Sequence, residues 1–527
     1  MVFSSPEFLF AFLPIFMALY FLCPGRKTKN VWLLIASLFF YAWGEPVYVV
    51  LMIVSIVVNW VLALALDREA RNPTRQGPGD SSNLFDSPGV AVRRRAILIV
   101  AVMFNLLVIG FFKYESFLAG IVNNALSTML APDLNLPLPI GISFYTLQAL
   151  SYVIDVYRRE VPAQRNVLFL DMYISCFPQL IAGPIVRYQT IAHQITTRKE
   201  NLADFSSGLR LFIIGLAKKA LLANTMAILA DLMLAQGGSN IGAVGAWAGI
   251  IAYTFQIYFD FSGYSDMAIG LGRMMGFKYL RNFNYPYISR SITEFWRRWH
   301  ISLSSFFRDY LYIPLGGSRV TKPRWVFNIA VVWAVTGLWH GAAWNFVLWG
   351  VYYGALLICE KLFLGKLIEK LPRILQHVYM LAVVIFGWTF FWIPDVGQLV
   401  LWWQAMLGSF GACGTQTFWQ LTAWEYWPVF LICAVASVPI CPYVKARFEA
   451  WVEGRKLEDF SKTGIVNTRC IKADSLCMLE ATPINRQRHT AMLVFSIAVD
   501  LCLLALLVLS ILSIVSGSYN PFIYFQF

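Results

Sequence analysis

Five histidines are the side chains best suited to proton transfer near neutral pH, and His340 stands apart from the others. It ends an apolar run that starts at Val326, and a second apolar run starts at Gly341. An ionisable group in such a place costs free energy, so we expect it to have a function. A neutral imidazole can take a proton from a hydroxyl group, which predicts that His340 acts as a general base. The alternative is a histidine bonded to a carbonyl at a helix end.

His300 is a second candidate, which would contact a donor substrate, orient His340 through another group, or anchor a helix at the membrane surface. Two histidines do not complete a zinc site, which needs three or four ligands, and no metal is expected. The sequence contains no Gly-rich phosphate loop and no Gly-x-Ser-x-Gly nucleophile motif. A buried base without a protein nucleophile suits direct transfer from a bound thioester to an acceptor hydroxyl.

Polar side chains also interrupt the apolar run around residues 258–266. On a helix, Asp260 and Tyr264 share one side, and Ser262 and Asp266 share a neighbouring side. Carboxylates at membrane depth need partners. We expect those partners among three arginines: Arg297, Arg298 and Arg308. Ion pairs that hold helices together explain this cluster as well as a part in catalysis does.

Lys218 and Lys219 lie near the centre of another apolar run. For them too, the choice is between a structural ion pair and a function. Long lysine side chains can extend along a helix until the ammonium group reaches the membrane surface. We expect both to reach the cytoplasmic face, where they would meet the phosphates of a donor. Pairing inside the protein is the alternative.

The polar stretch 281–323 carries His300 and is predicted to lie at the membrane interface. Ser291 and Glu294 have the spacing of a capping box, which predicts a helix from about Ser291. Glu294 and Arg298 are then neighbours on that helix. Three bulky side chains are expected on another side: Trp296, Trp299 and His300. An interfacial anchor without chemistry is the alternative function of this stretch.

The composition indicates which kind of fold must position these residues. The chain has 527 residues, of which 58% are hydrophobic and 13% charged, whereas a soluble domain carries roughly a quarter charged residues. Many apolar runs approach the roughly 20 residues that cross a bilayer. We therefore predict an all-α polytopic membrane protein, a single domain over 1–527, with roughly 10–13 membrane segments. Runs broken by Pro and Gly are expected to be short or re-entrant helices.

The net charge of +13 predicts membrane topology rather than a nucleic-acid partner. Basic residues collect around Arg26 and in the polar stretches 67–95 and 444–489, and cytoplasmic loops are rich in Lys and Arg. Placing these three loops in the cytoplasm puts both termini outside it. An amphipathic surface helix is possible over Ala446–Phe460. The nine cysteines form no C-x-x-C pair and indicate no disulfide framework.

Several long motifs, in order along the chain, resemble the membrane-bound O-acyltransferase family, and within it the bacterial alginate O-acetyltransferase branch, related to teichoic-acid D-alanylation proteins. The motifs are Pro139–Tyr145, Phe177–Pro184, Tyr258–Ala268, Phe295–Ser304, Arg308–Gly317 and Gly337–Ala342. The resemblance implies that His340 is catalytic and His300 supports it. It also implies a helical barrel, thin at its centre, with a tunnel that links the two sides of the membrane.

The resemblance further implies acetyl-CoA or another acyl thioester as donor substrate, with no bound cofactor. It implies a multi-pass protein of the bacterial inner membrane with periplasmic termini, which works with an exported polysaccharide and a periplasmic partner of the SGNH-hydrolase type. No nucleic acid is expected, and lipids surround the protein. We expect nine residues to line the tunnel or support it: Asp260, Tyr264, Asp266, Trp296, Arg297, Arg298, Arg308, Trp339 and Asn345.

Three places depart from the family pattern. Asn224 stands where relatives often carry Asp, Phe391-Trp392 stands where they often carry Phe-Arg, and 444–489 has no counterpart. None of them is expected to touch His300 or His340. Two other functions remain open from the residues: a non-catalytic transporter or structural subunit of polysaccharide export, and transfer of another acyl group, such as D-alanine to teichoic acid.

Overall fold

The computed structural model describes residues 1–71, 88–126, 136–409, 424–453 and 486–517, with single positions at 134, 422, 520, 522 and 523. Within these ranges the regular elements are all helices, as the composition predicts. The all-α prediction is therefore confirmed.

The first half of the described chain forms α1 (Leu13–Leu22), α2 (Gly25–Ala42), α3 (Tyr48–Arg71), α4 (Pro88–Leu126), α5 (Ile142–Tyr157), α6 (Val167–Ser175), α7 (Phe177–Leu180), α8 (Tyr188–Thr197), α9 (Leu202–Ala217) and α10 (Asn224–Leu234). The second half forms α11 (Gly238–Met274), α12 (Ile292–Arg298), α13 (Ile301–Phe307), α14 (Lys322–His340), α15 (Trp344–Cys359), α16 (Gly365–Ile368), α17 (Arg373–Trp392), α18 (Val396–Met406), α19 (Trp427–Ala436), α20 (Ile440–Glu453) and α21 (Arg486–Ser516). Wider π-helical turns cover Glu7–Phe12, Lys218–Ala223, Arg308–Tyr312 and Glu360–Leu364, and a 3-10 turn covers Pro286–Ile288.

Seven helices in the described part of the chain are long and apolar enough to cross a membrane. They are Tyr48–Ala70, Pro88–Leu126, Leu202–Leu234, Gly238–Met274, Trp344–Ile368, Arg373–Trp392 and Thr490–Ser516. Trp427–Ala436 and Ile440–Phe448, bent by 52°, would make an eighth. Within the described ranges this is fewer than the expected 10–13 segments, because some apolar runs, such as Glu7–Leu22, form helices too short to cross.

The long helix α11 is largely buried and packs closely against α9. A Cβ atom built on Gly215 would lie 2.5 Å from the carbonyl oxygen of Gly263, and one on Gly208 would lie 2.5 Å from that of Gly270. Small residues let helix backbones approach in this way. The close approach brings the π-turn that follows α9 against the polar segment of α11.

The helix predicted from Ser291 is confirmed as α12. The Ser291 hydroxyl accepts the N–H of Glu294 at 3.1 Å, and Glu294 forms the expected ion pair with Arg298 at 2.9 Å. The other half of the capping box is displaced, because the Glu294 carboxylate accepts the N–H of Arg290 instead. The start of α12 is therefore capped by its own side chains.

The two polar loops are shorter than predicted where the structure describes them. Helix α3 continues to Arg71 and α4 begins at Pro88, so helix enters the stretch 67–95 from both sides. The predicted surface helix of 446–460 corresponds to α20, which begins earlier, at Ile440, and ends at Glu453. The remainder of both loops, 72–87 and 454–485, lies outside the described residues, and the single-domain assignment stays a prediction.

A buried carboxylate from the end of α15 also holds the start of α12. One Glu360 oxygen accepts the N–H of Ile292 at 2.8 Å, and the other accepts the N–H of Thr293 at 2.8 Å and its hydroxyl at 2.6 Å. Negative charge is favourable at a helix N-terminus, where backbone N–H groups lack partners.

Replacing Glu360 by glutamine is expected to lower the free energy of unfolding by about 1–3 kcal/mol, because one buried N–H group loses its acceptor. Denaturant titration of the detergent-solubilised protein measures this. Glu369→Gln, at an exposed position nearby, is the control and should change stability by less than about 0.5 kcal/mol. Equal stabilities of the two variants would contradict the role of Glu360.

Candidate active site

His340 is the last residue of α14 and is buried against aromatic rings, with 4% of its surface exposed. Its ring centroid lies 4.9 Å from that of Trp339, 5.0 Å from Trp349 and 5.0 Å from Phe391. The place Phe391-Trp392 was expected to touch neither histidine, and Phe391 touches His340; the residue that departs from the family pattern there is Trp392. An aromatic wall of this kind limits the access of water to the imidazole.

The close packing of α14 on α15 places this wall. A Cβ atom built on Gly337 would lie 2.5 Å from the carbonyl oxygen of Phe346, so only glycine allows the approach. Within the described ranges, Nδ1 of His340 has no hydrogen-bond partner. The alternative, a hydrogen bond from this nitrogen to a carbonyl group, is thus not seen. The nitrogen remains able to form a hydrogen bond with a substrate.

Side chains from α4 bind the last carbonyl groups of α14. The hydroxyl of Tyr114 donates to the carbonyl of Leu338 at 2.5 Å. The buried ammonium of Lys113 donates to the carbonyl of Trp339 and lies 3.4 Å from that of His340. A cation is favourable at a helix C-terminus. Sequence reasoning missed Lys113, although a single lysine inside the apolar run of α4 was a usable signal.

His300 lies at a break between helices, where the backbone turns into the left-handed region with φ of 44°. The prediction that it shares one side of a helix with Trp296 and Trp299 is wrong, because α12 ends at Arg298 and His300 precedes α13. The turn directs the ring into the protein, where 2% of the residue is exposed. Its centroid lies 4.6 Å from Phe261 and 6.2 Å from Trp339.

Asn282 binds His300 and was not identified from the sequence. Its side-chain oxygen lies 3.1 Å from Nδ1 of His300 and also accepts the N–H and hydroxyl of Ser302, at 3.1 and 2.9 Å. Its side-chain amide donates to Ser265 of α11 at 3.1 Å. Asparagine is common in polar loops, so nothing in the sequence distinguished this one.

The aromatic residues connect the two histidines. The ring of Trp339 contacts both, and Trp296 packs against Trp349, which touches His340, at 5.5 Å. Asn345 is buried at the start of α15, and its amide donates to the carbonyl of Phe390 at 3.0 Å, next to Phe391. Trp296, Trp339 and Asn345 are thus placed around the histidines.

The polar cluster of α11 has other partners than expected. Asp260 pairs with Lys219 at 2.7 Å and Asp266 pairs with Lys218 at 2.6 Å, so the predicted arginine partners are wrong. Lys219 is 3% exposed and does not extend to a surface. The second oxygen of Asp260 accepts the N–H of Ile523 at 2.9 Å.

The remaining predicted residues have structural contacts. Tyr264 stacks on Phe3, with ring centroids 4.5 Å apart. Arg308 pairs with Asp309 at 2.6 Å, Arg298 pairs with Glu294, and Arg297 is exposed. Among the described residues no three His, Cys, Asp or Glu side chains come together as a possible metal site.

These contacts define what the site can do chemically. Two imidazoles contact the same indole ring, that of Trp339, and each has a nitrogen without a partner in the described chain. An imidazole nitrogen whose lone pair is not taken by a protein group is free to accept a proton or a hydrogen bond from a substrate. The site therefore suits proton transfer from a hydroxyl group in a place that excludes most water.

Comparison with known proteins agrees with this chemistry. The family model described as "MBOAT, membrane-bound O-acyltransferase family" matches residues 96–396. A "Probable alginate O-acetylase AlgI" of Pseudomonas aeruginosa is 36% identical over the full length of both chains, and one of Azotobacter vinelandii is 37% identical over the full length of both.

A "Peptidoglycan O-acetyltransferase" of Helicobacter pylori is 34% identical over 78% of this chain and 80% of its own. The matched family region contains both histidines, the residues that hold them and most of the candidate membrane spans. The chain is a multi-pass membrane enzyme that belongs to the membrane-bound O-acyltransferase family.

Proposed function

We propose that this O-acyltransferase moves an acetyl group from a cytoplasmic thioester, acetyl-CoA or a related donor, to an exported alginate-like polysaccharide. The observation that carries the proposal is the burial of His340 in an aromatic wall with Nδ1 unpartnered in the described chain. The full-length relatives are named as probable alginate O-acetylases, which supports acetyl as the group and alginate as the polymer.

The proposed reaction is a direct transfer with His340 as general base. The imidazole takes the proton of the acceptor hydroxyl while the hydroxyl oxygen attacks the carbonyl carbon of the thioester. The C–S bond then breaks, an O-acetyl ester remains on the acceptor, and the proton passes from the imidazolium to the departing sulfur. The site holds donor and acceptor together, so the reaction needs no encounter in solution. This lowers the activation free energy by several kcal/mol.

The cellular arrangement is part of the proposal. Basic residues concentrated in three loops support a bacterial inner-membrane protein with cytoplasmic loops and periplasmic termini. We infer a tunnel through the helical barrel by which donor and acceptor reach the histidines from opposite sides. The immediate acceptor is the polysaccharide or a periplasmic SGNH-hydrolase-like acetyltransferase that passes the group on.

The proposal is tested by comparing secreted polysaccharide from cells with and without this protein. We expect acetyl per sugar to fall to background while polymer yield is unchanged. Mass spectrometry identifies the group that is lost and separates acetyl from D-alanyl. Unchanged acetyl per sugar with a lower yield would show a part in export and would overturn the proposal.

A further inference from the structure

The orientation of the Asn282 side chain is set by a backbone group. The N–H of Ser302 points to one of its two terminal atoms at 3.1 Å. A backbone N–H can only donate, so the atom that it meets is the amide oxygen, Oδ1. The other atom is therefore the NH2 group, which donates to Ser265 at 3.1 Å.

This orientation decides the protonation of His300. The same oxygen lies 3.1 Å from Nδ1 of His300, and an amide oxygen can only accept. The Ser302 hydroxyl lies 3.4 Å from the same nitrogen, but its hydrogen goes to the Asn282 oxygen at 2.9 Å, so that it presents a lone pair to His300. Nδ1 therefore carries the hydrogen. In a neutral imidazole the other nitrogen, Nε2, then carries the lone pair.

The lone pair of Nε2 has no partner in the protein as described. His300 is 2% exposed, and Nε2 is buried without a hydrogen bond within the described ranges. The ring stands among Phe261, Phe283 and Trp339, the last of which also contacts His340. Burying an acceptor without a donor is unfavourable, which points to a ligand that supplies one.

We propose that Asn282 is a positioning residue that holds His300 as the Nδ1–H tautomer, so that Nε2 accepts a hydrogen bond from an O–H or N–H group of a bound substrate. The inference rests on the acyl transfer proposed above. It assigns His300 the part of an acceptor: in this tautomer Nε2 cannot donate to the oxygen of a thioester carbonyl. His300 thus orients a substrate beside His340.

The first arm of the test compares acetyl transfer by variants at matched membrane levels. Asn282→Leu removes the oxygen and is expected to lower the rate about 10- to 100-fold, as loss of an imidazole-orienting partner does. Asn282→Asp keeps an acceptor for His300 and Ser302, and the Ser265 hydroxyl can donate to it. We expect that variant to stay within about fivefold of wild type. Equal impairment of the two variants would overturn the tautomer role.

A matched control is Asn284→Leu, two residues further along the same segment. The side-chain oxygen of Asn284 has no hydrogen-bond partner in the described part of the chain, so its replacement should change the rate by less than about twofold. A loss at Asn284 as large as that at Asn282 would show that the segment tolerates no leucine, and the role assigned to Asn282 would be withdrawn.

The second arm does not depend on activity. Nitrogen-15 NMR of histidine-labelled protein distinguishes protonated from bare ring nitrogens, and the His300 signals are assigned by their loss in His300→Gln. We expect a protonated Nδ1 and a bare Nε2 in wild type and in Asn282→Asp, with the other tautomer appearing in Asn282→Leu. A protonated Nε2 in wild type would overturn the inference even if acetyl transfer is confirmed.

Discussion

Replacing His340 by alanine is expected to lower acetyl transfer by about 100- to 10,000-fold, which is what a positioned general base contributes. Loss of the ring also opens the aromatic wall of Trp339, Trp349 and Phe391 to water. The assay follows labelled acetyl from the thioester to polymer in membranes with matched amounts of protein. His340→Gln, which keeps polarity and most of the volume, should be equally inactive because it cannot accept a proton near neutral pH.

The matched control is His193→Gln. His193 is exposed on α8, where Nδ1 lies 2.8 Å from the hydroxyl of Thr197. That variant should retain activity within about twofold. Transfer by His340→Ala within threefold of wild type would exclude His340 as the base, whatever the other variants show.

Replacing Lys219 by methionine is expected to destabilise the protein by about 3–5 kcal/mol. Lys219 and Asp260 are 3% and 1% exposed and lie 2.7 Å apart, so the substitution leaves a buried carboxylate without its cation. Removing one partner of a buried pair costs far more than removing both. Denaturant unfolding in detergent, followed by fluorescence, measures the change.

The neighbouring ion pair supplies the control. Lys218 and Asp266 are 23% and 24% exposed, so Lys218→Met should cost about 0–1 kcal/mol. The double variant Lys219→Met with Asp260→Asn should recover much of the lost stability, because both charges are gone and the amide oxygen still accepts the N–H of Ile523. Equal losses of stability in Lys218→Met and Lys219→Met would contradict the claim that burial makes the Lys219–Asp260 pair the more important one.

The sequence identified the features that depend on local spacing or on the cost of a buried charge. His340 was found because an imidazole inside an apolar run is unfavourable. Helix α12 and its Glu294–Arg298 pair were found because caps and i,i+4 pairs are local. Both findings required no knowledge of which helices meet.

Features that depend on helix packing could not be predicted from the sequence in the same way. The partners of Asp260 and Asp266 are lysines because glycines let α9 and α11 approach and because the chain widens into a π-turn at Lys218. Likewise, Phe391 reaches His340 only because α17 packs beside α15. Distances between such elements cannot be read from periodicity, so these partners were predicted wrongly.

The prediction of the direction of the His300 side chain was wrong for a different reason. A capping pattern fixes where α12 begins, but its end after Arg298 depends on two backbone hydrogen bonds. Asn284 donates to the carbonyl of Arg298, and Ile301 donates to that of Asn282, both at 2.9 Å. Such pairing with a loop leaves no trace in the spacing of apolar residues.

The left-handed backbone at His300 also limits which amino acids evolution can place there. Glycine occupies that region without strain, and asparagine, aspartate and histidine are enriched there, while most other residues lose about 1–2 kcal/mol. Variation at this position among related chains should therefore be narrow, even where the imidazole is dispensable. An alanine exchange there combines backbone strain with loss of the ring, whereas an asparagine exchange separates them. Retention of histidine at position 300 would therefore reflect the chemistry of the ring, because the backbone alone also accepts glycine, asparagine or aspartate.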